Sequence, residues 1–100
     1  MTNPAMINGV LRNKEHPNTF HIPPEEERKN LPIGSFAKVG FEDPAGGGER
    51  MWFRIVSATN GRYIGELNNH PAVVDGLQYG DKVEFGPEHV LAVEAPIQKN

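Results

Sequence analysis

Arg50-Met51-Trp52-Phe53-Arg54-Ile55-Val56-Ser57-Ala58-Thr59-Asn60-Gly61-Arg62-Tyr63-Ile64-Gly65-Glu66-Leu67 is the stretch that decides the fold. Two runs rich in β-branched and aromatic residues flank Asn60-Gly61. An Asn-Gly pair between such runs is the strongest short-range signal for a β-hairpin, because both turn positions need positive φ. A two-residue loop sets the register. Thr59 then faces Arg62, Ala58 faces Tyr63, Val56 faces Gly65 and Arg54 faces Leu67. The same register opposes Ser57 to Ile64, Ile55 to Glu66 and Phe53 to Asn68.

In that register neither hairpin face is polar. One carries Met51, Phe53, Ile55 and Ile64 with Glu66; the other carries Trp52, Val56, Tyr63 and Leu67 with Arg54. A sheet with one face in water should show one polar face. Two accounts follow. Either a curled sheet buries one face while a helix and the N-terminal arm cover the other, or Trp52, Arg54, Tyr63 and Leu67 form an exposed recognition patch. Aromatic residues with an arginine are what interface centres favour. Asn69 and His70, in the polar corner Asn68-Asn69-His70-Pro71 that follows, complete the candidate contact set.

Working outward, Ser35-Phe36-Ala37-Lys38-Val39-Gly40-Phe41-Glu42 alternates with period two. Ala37, Val39 and Phe41 face one way, and Lys38 and Glu42 the other. Lys82-Val83-Glu84-Phe85 alternates likewise after a turn at Tyr79-Gly80-Asp81, and His89-Val90-Leu91-Ala92-Val93-Glu94 reads as the last strand. Pro23-Pro24-Glu25-Glu26-Glu27-Arg28-Lys29-Asn30-Leu31 reads as a short helix with a solvated charged face. Proline suits its first turn, glutamates its positive end and basic residues its negative end. Residues 1–20 are an arm in which Ile7, Val10 and Leu11 fall at helical spacing, so they form a short helix or fray. Residues 21–95 are one compact β-rich domain, and 96–100 are a tail. The expected class is α+β: a small, strongly curled antiparallel β-sheet or partial barrel with one short helix.

Composition agrees. One hundred residues make one domain. Eleven glycines and nine prolines favour short elements joined by turns. A formal charge of −3, without a basic cluster, does not steer the chain towards a phosphate backbone. Without cysteine there is no disulfide, thiolate metal site or cysteine nucleophile. The first ten residues lack the basic region and apolar run of a signal peptide, and no apolar stretch approaches membrane-spanning length. The expectation is a cytoplasmic protein that meets no membrane.

Gly48-Glu49-Arg50-Met51-Trp52-Phe53, Gly65-Glu66-Leu67-Asn68-Asn69-His70-Pro71 and Tyr79-Gly80-Asp81-Lys82-Val83-Glu84-Phe85 resemble the YegJ-like family of bacterial proteins. The resemblance rests on the Met-Trp pair, the Gly-x-Leu-x-Asn-x-Pro run and the Gly-Asp before a strand. It covers about residues 36–94. The segment through His16 to Pro23 looks like a subgroup extension, and Val93-Glu94-Ala95 stands where the family often carries an acidic-aromatic pair. No accepted activity comes with the family, so the resemblance implies a compact β-rich domain.

Patterns for catalysis and cofactors are missing from the residues. Gly46-Gly47-Gly48 follows a strand, but no Gly-Lys-Ser/Thr follows and the next element reads as a strand, where a phosphate loop requires a helix. His16 and His21, five apart across a proline, have no acidic residue at metal-ligand spacing, and His70 and His89 could meet in space although nothing in the sequence requires it. No serine or threonine sits in a strained elbow. The expectation is a protein that is not an enzyme, with no cofactor and no metal. Its first function class is a protein-binding module, such as a small inhibitor, an immunity protein or a phage counter-defence factor, whose acidic balance suits a basic partner surface. Its second is a small β-barrel binding single-stranded nucleic acid, with Trp52, Phe53 and Tyr63 stacking on bases and Arg50, Arg54 and Arg62 on phosphates. Arg54 and Arg62 fall on opposite hairpin faces, which weighs against nucleic acid.

Overall fold

A computed structural model describes residues 5–44 and 47–96. Along the chain lie β1 (Ala5–Met6), α1 (Gly9–Glu15), α2 (Glu25–Lys29), β2 (Phe36–Glu42), β3 (Gly48–Thr59), β4 (Arg62–Leu67), β5 (Lys82–Phe85), a 3-10 turn at Pro87–His89 and β6 (Ala92–Glu94). The six strands make one antiparallel sheet. β2 to β5 follow one another across it, while β1 and β6 share the outer edge of β2, at Phe41–Glu42 and Phe36–Lys38 respectively. The sheet curls into a half-barrel, giving the α+β architecture that the alternation implied. No helix among the described residues is long and apolar enough to cross a membrane.

The central hairpin forms at Asn60-Gly61, with φ of 53° and 75°. From the turn, Thr59–Arg62, Ala58–Tyr63 and Ser57–Ile64 pair as the two-residue loop dictates. The register then shifts at Val56. Beyond it Ile55 pairs with Gly65, Arg54 with Glu66 and Phe53 with Leu67, which corrects the continuous register expected from the turn. A bulge places one extra residue on one strand and so moves every later side chain to the other face relative to its partner. Here that shift sorts the hairpin. Met51, Phe53, Ile55, Tyr63 and Leu67 all turn inward and are buried, while Trp52, Arg54, Ile64 and Glu66 alternate outward.

The inner face carries the core. Phe41, Phe53, Phe85 and Tyr63 form a chain of rings whose centroids lie 5.9, 5.9 and 5.8 Å apart, surrounded by Ala37, Val39, Met51, Ile55, Leu67 and Val90. Each such ring contributes roughly 1.5–3 kcal/mol by leaving water. Gly65 sits beneath two of them. A Cβ there would lie 2.7 Å from Phe53 Cβ and 2.7 Å from Phe85 Cε1.

The N-terminal segment lies on the outer face of β2. The Ile7 N–H donates to Gly40 O at 2.8 Å, the Ile7 side chain fills the space beside Gly40, and the Arg50 guanidinium lies 5.3 Å from the Phe20 ring. Asn8 caps α1 by accepting from the Leu11 N–H at 3.1 Å; of the three residues at helical spacing, Val10 and Leu11 fall in α1, while Ile7 precedes it and pairs with β2. α2 closes one end of the core, with Leu31 buried beside it. One residue of the expected solvated run is not solvated: Arg28 is 8% exposed. The last strand is shorter than its pattern. The Gly86 N–H donates to His89 Nδ1 at 3.0 Å, and Pro87 starts a 3-10 turn that consumes the residues before β6. Residues 97–100 of the expected tail and 1–4 of the arm lie outside the described residues.

Candidate functional site

Beyond the cover of the N-terminal segment, the outer face of the sheet is a ladder. Glu94, Phe36, Arg54, Glu66 and Lys82 are neighbours in register across β6, β2, β3, β4 and β5. Arg54 Nη2 and Glu66 Oε1 are 3.5 Å apart. The next row brings Lys38 opposite Trp52, with the Lys38 ammonium 5.0 Å from the centre of the indole. Such a cation over a half-exposed ring contributes about 0.5–1 kcal/mol.

At Trp52 the β3–β4 ladder has run out, because the last described pair is Phe53–Leu67. The chain leaving β4 replaces it. The Asn68 N–H donates to Trp52 O at 2.9 Å, and Asn69 Oδ1 accepts the Trp52 N–H. A backbone donor at the end of a ladder must find some acceptor, and a short amide side chain supplies it without adding a strand residue. The hydroxyl of Tyr79 donates to Asn68 Oδ1 at 3.3 Å. The Tyr79 ring stacks on His70, with centroids 4.9 Å apart and planes 17° from parallel. Tyr79 remains 57% exposed. Trp52, Asn68, Asn69, His70 and Tyr79 are thus tied into one surface feature.

The loop that carries His70 and Tyr79 is anchored along its length. Glu49 accepts from the N–H groups of Ala72, Val73 and Val74 at 2.8, 2.9 and 3.1 Å. Those backbone donors, Ala72 first, hold its carboxyl below the usual glutamate range. Leu67 N–H donates to Asp81 O at 2.8 Å and Gly80 N–H to Leu67 O at 2.9 Å. Asp81 Oδ2 accepts from the Gln78 N–H at 2.9 Å.

Of the contact residues expected from sequence, Trp52, Arg54, Asn69 and His70 lie on this surface. Tyr63 and Leu67 do not. They are 3% and 1% exposed, because the bulge at Val56 turns them into the half-barrel. Tyr63 uses its hydroxyl internally, donating to Arg28 O at 2.7 Å and accepting from the Leu31 N–H at 3.2 Å. The stacking platform expected for nucleic acid changes for the same reason. Phe53 and Tyr63 are core, and Arg62 is engaged by Glu84 at 3.9 Å and Glu88 at 3.6 Å. Lys38 and Tyr79 belong to the surface and were not singled out by sequence. Lys38 was legible as an outward position of an alternating strand, whereas nothing in Tyr79-Gly80-Asp81 signals a stack with His70. Among the described residues no three His, Asp or Glu side chains gather where they could hold a metal ion.

The chain matches no family model, no curated protein and no solved structure, so its own geometry carries the functional argument.

Proposed function

We propose that the chain is a non-catalytic binding module that recognises a protein partner with the outer sheet face around Trp52 and the His70–Tyr79 stack. In this reading it works in the cytoplasm by covering a surface of that partner, as small inhibitors, immunity proteins and phage counter-defence factors do. The observation that carries it is a pair of exposed stacked rings on an anchored backbone, beside a half-exposed indole and an arginine. Exposed aromatic rings lose little conformational entropy when they dock from a rigid scaffold, and interface centres are enriched in Trp, Tyr and Arg. The net charge of −3 favours encounter with a basic partner.

The experiment is capture of partners by the tagged chain beside folded Trp52→Ala and Tyr79→Ala variants, with hydrogen exchange on the recovered complex. Support is one protein partner that protects the Asn68–Tyr79 loop and β3, and binds each variant with about 2 kcal/mol less affinity, roughly thirtyfold in Kd. A complex that both variants form with wild-type affinity refutes the surface. Recovery of nuclease-sensitive nucleic acid as the only ligand, with affinity falling steeply with salt, refutes the protein partner.

A further inference from the structure

β5 ends the sheet opposite β2, and its outer edge is open. Leu67 N–H donates to Asp81 O, and Gly80 N–H donates to Leu67 O. Antiparallel bonds recur at every second residue, so Val83 and Phe85, opposite Gly65 and Tyr63, turn their backbone groups towards β4. Lys82 and Glu84 turn theirs away from it. Among the described residues no hydrogen bond reaches that outer side of Lys82 or Glu84. The edge borders a groove of about 440 Å³ in the seam of the half-barrel, walled across from β5 by Met6, Phe41, Gly76 and Leu77. Lys82 and Glu84 are exposed, and Val83 is half-buried.

An open edge invites another strand, and a lysine there ordinarily deters it. Here the lysine stands two residues from a glutamate. In an antiparallel pair centred on Val83, residue 82 of one strand lies opposite residue 84 of the other. β5 is therefore complementary to a second copy of itself, because basic-apolar-acidic in one direction meets acidic-apolar-basic in the other. The neighbouring charges agree. The outer-face row through Arg54, Glu66 and Lys82 alternates in sign and stops at Lys82, and a glutamate is what continues it. Glu84 is 3.9 Å from Arg62, with both side chains well exposed. An ion pair of this kind is worth little and does not hold Glu84 back.

We propose that the chain forms a two-fold dimer in which β5 pairs antiparallel with the β5 of a second copy. Lys82 and the second copy's Glu84 exchange both main-chain bonds, and the two-fold axis repeats the exchange. Their side chains meet on the outer face as two ion pairs. Val83 packs on its mate beside the groove. Such an interface is isologous and needs no second surface. Its small extent makes the dimer reversible. The inference goes beyond the outer-face reading and does not depend on it, since it uses the strand edge and not Trp52 or the His70–Tyr79 stack.

Sedimentation equilibrium of the full chain from about 10 µM to about 1 mM tests it, beside Lys82→Glu and Glu84→Lys, both at exposed positions. Wild type is expected to pass from monomer to dimer across that range. Each variant alone sets like charges opposite one another and is expected to dimerise at least about tenfold more weakly. Mixing the two variants is expected to restore a dimer, because the acidic edge of one meets the basic edge of the other. In wild type, amide exchange at Lys82 and Glu84 should slow as concentration rises, while Val83 and Phe85, already bonded to β4, stay unchanged. A chain still monomeric at about 1 mM overturns the dimer. Single variants that dimerise as tightly as wild type, or a mixture that restores nothing, overturn the β5 pairing. Trp52→Ala is expected to leave the dimer intact, which keeps this outcome separate from that of the outer-face reading.

Discussion

Tyr63, on β4, donates its hydroxyl to the carbonyl of Arg28, on α2, at 2.7 Å and accepts the Leu31 N–H at 3.2 Å. One side chain thereby joins the aromatic core to the helix that closes its end. Tyr63→Phe keeps the ring stack and strips both bonds, leaving a carbonyl and an amide without their buried partner. The expected cost is about 1–3 kcal/mol, read as a lower denaturation midpoint with an unchanged slope. A variant as stable as wild type would show that water replaces the hydroxyl.

Gly65 is held to glycine by approach of the rings and not by its backbone angles. Gly65→Ala puts a methyl group 2.7 Å from Phe53 Cβ and Phe85 Cε1. Overpacking of this kind costs about 1–3 kcal/mol, and near-ultraviolet circular dichroism should report the disturbed rings. Neutral stability would mean that β4 moves outward freely.

Glu49 makes the loop of His70 and Tyr79 sensitive to acid. Its folded-state pKa is depressed by the N–H groups of Ala72, Val73 and Val74. A depressed carboxyl contributes stability that is present above its unfolded value and lost as pH falls through the folded one. Glu49→Gln is therefore expected to cost about 1 kcal/mol near neutrality. The difference from wild type should shrink as pH drops below about 4.5, the ordinary glutamate value. A pH-independent difference in urea midpoints would contradict this.

His89 must be neutral to accept the Gly86 N–H at Nδ1. Burial lowers its pKa, the Arg62 charge lowers it further, and Glu88 opposes them. The sign is again acid-labile: the contribution is whole above about 6.5, the ordinary histidine value, and is lost as pH falls below it. A histidine titration by NMR should give a midpoint below that value, with the Gly86 amide moving in step. A midpoint at or above it would show that the bond does not discriminate between the protonation states.

Trp52→Ala and Leu67→Ala separate the two faces of one hairpin. The first removes a half-exposed ring and is expected to change stability by less than about 1 kcal/mol. The second opens a cavity in the core and is expected to cost about 2–5 kcal/mol. Thermal unfolding of the pair checks the sorting; equal losses would place Trp52 in the core as well.

Local chemistry determined much of this protein. Asn60-Gly61 dictated the hairpin, period-two alternation dictated β2 and β5, and proline with ordered charges dictated α2. Each is an interaction between near neighbours in the chain, so a sequence displays it. The bulge at Val56 is different. Nothing local distinguishes Val56 from Ile55, and the slip is decided by which register lets Tyr63 and Leu67 join Phe53 and Phe85 inside. That choice belongs to the assembled core, since a one-residue shift exchanges the two faces of a strand. Trp52, Arg54, Asn69 and His70 could be picked from sequence because exposed polar and aromatic residues advertise themselves. The stack of Tyr79 on His70, the Glu49 anchor and the burial of Arg28 needed segments far apart in the chain to meet, and only the tertiary structure brings them together.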